Sequence, residues 1–217
     1  MMAEKKKTGI LFDLDGTLWD SSAAVVDSWN VVLDKYEDAT RKATIEWMQR
    51  LMGKTMIDIE NMFLDYLPPE RRHVLMKECL DYENEYIAVH GGILFEGVKE
   101  TLELLKKDYH LSVVSNCQEG YVPAFFKAHG MEQLFDDYEE YGRTGKVKAD
   151  NISLVVKRNN LEQAVYVGDT LGDYNSTKEA GLPFIHAAYG YGEVPERTVK
   201  ITDIRELPQA VKKIFRT

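Results

Sequence analysis

Long apolar runs are missing from these 217 residues. No stretch approaches the roughly twenty apolar residues a membrane helix needs, so no spanning segment is expected. Residues 1–7 are basic, but the apolar residues 8–12 are too few for a signal-peptide core and run straight into Asp13, which points to a cytoplasmic protein. Cysteine is scarce. The only two, Cys79 and Cys117, lack metal-site spacing and are expected to be reduced, packed thiols. Positive charge is in deficit, with 27 Lys and Arg against 36 Asp and Glu, a formal net charge of -9. That balance argues against a nucleic-acid partner and gives no long-range attraction for an anion, so any phosphate site has to carry its own cations. Internal repeats and low-complexity segments are absent. What remains is 44% hydrophobic and 29% charged, the composition of a globular chain long enough for one large domain or a domain with a sizeable insertion.

The stretch around which the chain is organised is Gly9-Ile10-Leu11-Phe12-Asp13-Leu14-Asp15-Gly16-Thr17-Leu18. Its apolar run suits a central strand covered on both faces, and charge is tolerated only from Asp13 onward. Asp13 and Asp15 are two apart and would share a face of a continuing strand, while Gly16 permits a sharp turn. Such a pair could hold a hard cation, or it could be an ordinary Asp- and Gly-containing turn; these residues alone leave both open.

After Leu18 the pattern is helical for some seventy residues, an insertion. Asp20, Ser21 or Ser22 can cap a first helix with apolar positions at Val25, Val26, Trp29, Val32, Leu33 and Tyr36. A second helix runs through Ile45, Met48, Leu51 and Met52 to Gly53, and a third through Ile57 to Leu67. The fourth begins at Pro68-Pro69 and ends near His90-Gly91-Gly92. The Met and aromatic positions of this bundle read as its own core. Beyond the Gly91-Gly92 linker, helices alternate with short apolar strands at residues 111–114, 164–167 and 183–186, and a helix over 207–215 closes the chain. Strands separated by single helices imply parallel pairing with right-handed crossovers. The expected architecture is therefore α/β: a doubly wound parallel sheet, Rossmann-like, formed by residues 1–20 and 93–217, with an inserted α-helical domain over 21–92.

Three of these strands end in small polar or acidic residues: Asp13 and Asp15, then Ser115 and Asn116, then Asp169 with Asp173 a turn later. A parallel sheet brings such ends together. Three carboxylates converging there repel one another unless a cation sits among them, and an all-oxygen set favours Mg²⁺. Taken singly, each has a plain alternative: Ser115-Asn116 as a strand end, Asp173 as a helix-start residue, Gly168-Asp169 as a strand-to-helix turn.

Asp13-Leu14-Asp15-Gly16-Thr17, the strand ending in Ser115-Asn116, a lysine in Gly145-Lys146-Val147-Lys148-Ala149-Asp150, and Gly168-Asp169-Thr170-Leu171-Gly172-Asp173 together resemble the four motifs of the haloacid dehalogenase-like hydrolase superfamily. In layout the chain is similar to phosphoglycolate-phosphatase-like members with a helical cap. The resemblance implies that Asp13 is the nucleophile forming an aspartyl-phosphate and that Asp15 is the acid and base, with its backbone carbonyl on the metal. It further implies that Ser115, the Asn116 amide and Thr17 bind phosphate, and that Mg²⁺ is held by Asp13, Asp15 and Asp169. Asp173 would serve as a further metal ligand or support one. Lys148 or Lys146 would neutralise the phosphoryl group; Lys148 abuts the helix start and is preferred. Arg143 and Cys117 are near enough in sequence to approach the site, though a surface guanidinium and a packed thiol explain them. The expected reaction is Mg²⁺-dependent hydrolysis of a small phosphorylated metabolite. A sugar-phosphate mutase of the β-phosphoglucomutase kind shares these motifs, and a non-catalytic binding protein on the same fold is a third reading.

Overall fold

The computed structural model describes residues 7–216. Residues 1–6, most of the basic start considered above, and Thr217 lie outside it. In chain order come β1 (Thr8–Phe12), β2 (Trp19–Asp20), α1 (Ser22–Leu33), α2 (Ile45–Leu51), α3 (Met56–Phe63), α4 (Pro69–His90) and β3 (Ile93–Leu94). There follow α5 (Val98–Leu105), β4 (His110–Ser115), α6 (Tyr121–His129), β5 (Asp137–Glu140), α7 (Tyr141–Thr144) and α8 (Lys148–Arg158). The chain ends with β6 (Gln163–Gly168), α9 (Leu171–Glu179), β7 (Phe184–Ala187), β8 (Val199–Ile201) and α10 (Leu207–Ile214).

Six strands form one parallel sheet in the order β5-β4-β1-β6-β7-β8. β1 is central, with Ile10 opposite both Leu111 and Val165. Its residues alternate between two cores, as a strand covered on both faces requires. Ile10 and Phe12 pack with Val98, Leu102, Val122, Phe125, Leu207 and Val211 on one side. Leu11 packs with Val114, Tyr166, Ile152 and Val155 on the other. After β1 the chain builds outward through β4 and β5, then returns to the opposite side for β6, β7 and β8. β1 thus lies at the point where strand order reverses, beside which open α/β sheets bind their ligands.

Two strands of this sheet escape the apolar-run signal. β5 reads Asp-Tyr-Glu-Glu, but each of its acids is satisfied: Asp137 and Glu139 take the Arg158 guanidinium, and buried Glu140 accepts the Gly120 and Val122 amides at 3.0 and 2.6 Å, at the start of α6. β8 is a three-residue edge strand, too short to show a pattern.

The insertion is helical, as its spacing predicts. α2 and α3 start at Thr44 and Thr55, whose hydroxyls accept the Trp47 and Asp58 amides; α4 starts at Pro69. α1 packs along α4 through Val25, Trp29, Met76 and Cys79. Asp20 takes the Ser22 amide at 2.9 Å, while the Ser21 hydroxyl turns elsewhere, to Asp15. Where the chain leaves and re-enters the sheet domain, β2 and β3 pair antiparallel, Trp19 opposite Leu94 and Asp20 opposite Ile93. The expected glycine linker is therefore a closely packed crossing: a Cβ on Gly92 would stand 2.8 Å from the Asp20 carbonyl. No helix among the described residues is long and apolar enough to cross a membrane.

Candidate active site

Each candidate residue is carried to one edge of the sheet by the end of a strand or the start of a helix. Asp13 follows β1 directly, its amide bonded to the Val167 carbonyl at 2.8 Å, and its side chain is buried. Asp169 follows β6, and Asp173 lies in the first turn of α9. One carboxylate oxygen from each of these three acids falls within a mutual spacing of 4.8 Å. Lys148, the first residue of α8, points its amine into the group, 2.7 Å from Asp13 Oδ1 and 2.5 Å from Asp173 Oδ1. Lys146 stays exposed in the preceding loop. Of the two lysines the sequence offers, the structure brings only Lys148 to the acids.

The electrostatics of this cluster are unbalanced. Three buried carboxylates face one buried ammonium. Burial, reinforced by the charge of Asp173, pushes Asp13 well above the usual carboxylate range despite the pull of Lys148. Burial and the same neighbour push Asp169 up to about 7. Burial by itself would lower Lys148, but the charges of Asp13 and Asp173 outweigh it and hold the amine well above its ordinary value. A group of hard oxygen donors short of positive charge fits a divalent cation such as Mg²⁺.

The surrounding bonds distinguish the acids. Both Asp173 oxygens are engaged: Oδ1 by Lys148, Oδ2 by the Thr170 amide and hydroxyl at 3.0 and 2.6 Å in a reciprocal helix cap. Asp169 is braced by the Tyr191 amide at 2.8 Å and more distantly by the Thr17 hydroxyl at 3.4 Å. Thr17, expected to touch phosphate, is fully buried and directs its hydroxyl at Asp169. The Asp15 carboxylate stands outside the cluster, and its Oδ1 accepts from Ser21 at 2.5 Å and Tyr121 at 2.9 Å. Burial raises its pKa. Gly16, at φ +81, has no room for a side chain: a Cβ would lie 2.3 Å from Asp169 Oδ2.

A cleft opens above Asp13, Asp15, Ser115, Asn116 and Lys148, and the helical insertion roofs it. Trp29, Met48 and Met52, read from spacing as bundle core, line this roof together with Met56. Cys117 also lines the cleft, its thiol pushed far up by burial and therefore held unreactive. Arg143 turns to Glu139 and the Tyr138 ring. Three cleft residues gave no sequence motif: Tyr121, Gln118 and Glu83. Glu83 had a usable signal, since Cys79, Glu83 and Ile87 recur at four-residue spacing along one face of α4, and all three are buried.

The family model described as haloacid dehalogenase-like hydrolase matches residues 10–187. The chain belongs to that family. It is 26% identical to the phosphoglycolate phosphatase of Escherichia coli (strain K12), over 84% of this chain and 82% of the relative. Among solved structures it is similar to a predicted phosphoglycolate phosphatase from Haemophilus somnus 129pt, with a TM-score of 0.83 and 23% identity over 96% of this chain and 99% of that one. It is also similar to a β-phosphoglucomutase from Clostridium difficile, with a TM-score of 0.75 and 12% identity over 96% and 99% of the two chains. Likeness at these identities shows a shared haloacid dehalogenase-like fold, a six-stranded parallel sheet with a helical insert.

Proposed function

We propose that this chain is a Mg²⁺-dependent phosphatase that hydrolyses a small phosphate monoester through an aspartyl-phosphate on Asp13. The observation that carries this reading is the Asp13 carboxylate itself. It is buried at the floor of a roofed cleft, held by Lys148 at 2.7 Å and flanked by two further acids. The curated relatives named as phosphoglycolate phosphatases support the same reading. Residues 21–92 act as a cap over a core of residues 1–20 and 93–217.

In the first step an Asp13 oxygen attacks phosphorus and the bond from phosphorus to the ester oxygen breaks. The leaving alkoxide takes a proton from Asp15, whose raised pKa suits it to hold one. In the second step water attacks the aspartyl-phosphate, its proton returns to Asp15, and phosphate departs from the regenerated Asp13 carboxylate. Ser115 and the Asn116 amide hold phosphoryl oxygens, and Lys148 neutralises their charge while orienting Asp13. Asp13 and Asp169, the Asp15 backbone carbonyl, and Asp173 directly or as a support would hold Mg²⁺. The ion would supply positive charge offsetting repulsion between the nucleophile and an anionic ester. The roof excludes water and bars a folded phosphoprotein from Asp13.

The test is acid-quench trapping of phosphoenzyme with an activated aryl phosphate and Mg²⁺. Asp13→Asn should give neither phosphoenzyme nor turnover. Asp15→Asn should still form phosphoenzyme and hydrolyse it slowly. Equal phosphoenzyme in wild type and Asp13→Asn refutes the assignment. Release of an isomerised sugar phosphate from a sugar 1-phosphate would identify the mutase reading instead.

A further inference from the structure

The cleft has a charged floor and a largely apolar roof. Val25, Trp29, Met48, Ile59 and Leu80 line the roof, and one carboxylate, Glu83, is set among them with only 4% of its surface exposed. Two donors fix that carboxylate. Trp29 Nε1 bonds to Oε2, and Gln118 Nε2 bonds to Oε1 at 3.0 Å. A carboxylate oxygen accepts two hydrogen bonds, so each Glu83 oxygen keeps an accepting position after these are made. A glutamate buried in an apolar wall costs folding free energy, and neither donor carries a positive charge to offset it. Burial pushes Glu83 up to about 7 against those two hydrogen bonds, and the charge of Asp15 adds to the rise.

The positive groups of the cleft are unevenly placed. Lys148 is engaged by Asp13 and Asp173 on the floor. On the roof side the cleft is lined by one cation, Lys54, which is half-buried between α2 and α3. A leaving group bearing a carboxylate would bring a second negative charge beside Glu83 in a space with little water. A leaving group bearing a hydroxyl or ammonium would fill an accepting position of Glu83.

We propose that Glu83 selects the leaving group, and that the substrate is a small alkyl phosphate carrying a hydrogen-bond donor, hydroxyl or ammonium, behind a short apolar segment, and no carboxylate. The inference rests on the phosphatase reading above and narrows it: the substrate differs in charge from that named for the curated relatives.

The experiment uses the full chain with Mg²⁺ at about pH 8.5, above the raised pKa of Glu83. p-Nitrophenyl phosphate comes first, because its hydrolysis depends on the floor and tests the phosphatase reading separately. The esters then compared are 2-hydroxyethyl phosphate, 2-aminoethyl phosphate and 2-phosphoglycolate, which differ mainly in the group presented to the roof. The better donor-bearing ester should exceed 2-phosphoglycolate in kcat/KM by about ten-fold or more, with the difference mainly in KM. In Glu83→Gln that ratio should collapse to within about three-fold, since the amide repels a carboxylate no longer. The ratio is read within each variant, so a general loss of activity does not disturb it. Wild-type preference for 2-phosphoglycolate, abolished by Lys54→Ala, overturns the proposal, as does an unchanged ratio in Glu83→Gln. Failure to release phosphate from any ester overturns the phosphatase reading and this inference with it.

Discussion

Replacing Lys148 with methionine tests the electrostatic account of the site most directly. The side chain is 2% exposed and makes two ion pairs, to Asp13 at 2.7 Å and to Asp173 at 2.5 Å, with both partners buried. Methionine keeps most of the volume, so the change removes charge and leaves packing nearly intact. Removing one partner of a buried pair costs about 3–5 kcal/mol, because the remaining charges stay buried without compensation. That is a large part of the total stability of about 5–15 kcal/mol expected of a folded chain. The loss should also depend on pH. Asp13 already sits above its ordinary value, and without the ammonium it rises further, so the folded variant keeps a proton that the unfolded chain has released. Stability bound up with that proton is present at low pH and disappears as pH rises through the folded pKa. In chelator, urea denaturation should therefore show the loss of about 3–5 kcal/mol near pH 8 and a loss smaller by about 1–3 kcal/mol near pH 5.5. Mg²⁺ should stabilise the variant, acting as the missing positive charge for the carboxylates. A loss under about 1 kcal/mol near pH 8, or the same loss at both pH values, would refute the reasoning.

Activity on an aryl phosphate should vanish in chelator and return with Mg²⁺ but poorly with Ca²⁺, whose larger and looser shell suits the Asp13 geometry less; full turnover in chelator would sink the metal assignment. Gly16→Ala should abolish turnover and destabilise the fold by about 2 kcal/mol or more, because its Cβ would lie 2.3 Å from Asp169 Oδ2 and its backbone is at φ +81; wild-type kinetics in a soluble Ala variant would contradict this. Glu83 rises from 4.5 to about 7 on folding, so the stability it contributes is complete below about pH 4.5 and lost as pH rises through about 7. The stability of wild type relative to Glu83→Gln should accordingly fall by about 3 kcal/mol between those limits, and a difference independent of pH would show Glu83 to be solvated.

What the sequence discloses and what it conceals divide along a physical line. β1, β4 and β6 are buried on both faces, so their apolar runs stand out, and the catalytic candidates follow as the polar residues that terminate those runs. The helices of the insertion were legible from period and from Gly53, Pro69 and Gly91 at their ends, while the caps at Thr44 and Thr55 came from the structure. β5 was not, because its acids are compensated by Arg158 and by the start of α6, partners that are distant in sequence or carry no local mark. Of Lys146 and Lys148 the sequence favours Lys148, which abuts the helix start, and it is this first residue of α8 that reaches Asp13. Thr17 shows the opposite pattern. Its place in the motif is clear, but that it is buried with its hydroxyl 3.4 Å from Asp169 is seen only in the structure. Glu83 shares a face of α4 with Cys79 and Ile87, but the donors that fix its carboxylate, Trp29 of α1 and Gln118, are distant in sequence.

The segment following β4 joins the two halves of the cleft. Ser115 and Asn116 line the floor, and Asn116 Nδ2 bonds the Gly53 carbonyl of the insertion at 3.0 Å. Two residues on, Gln118 bonds both Glu83 and Asn84, and the Glu119 carbonyl accepts from Asn84 at 2.9 Å. Tyr121 then returns to Asp15. Glu140 fixes this segment from the sheet side through the Gly120 and Val122 amides. The residues that would hold phosphate, the contact that orients Glu83 and the bond that sets Asp15 therefore lie within seven consecutive positions, 115–121, of one strand-to-helix connection. These hydrogen bonds tie the insertion to the floor. On the proposed reading, cap position and alignment of the reacting groups would be one mechanical variable, and a leaving group seated against Glu83 would also set the phosphoryl end against Asp13.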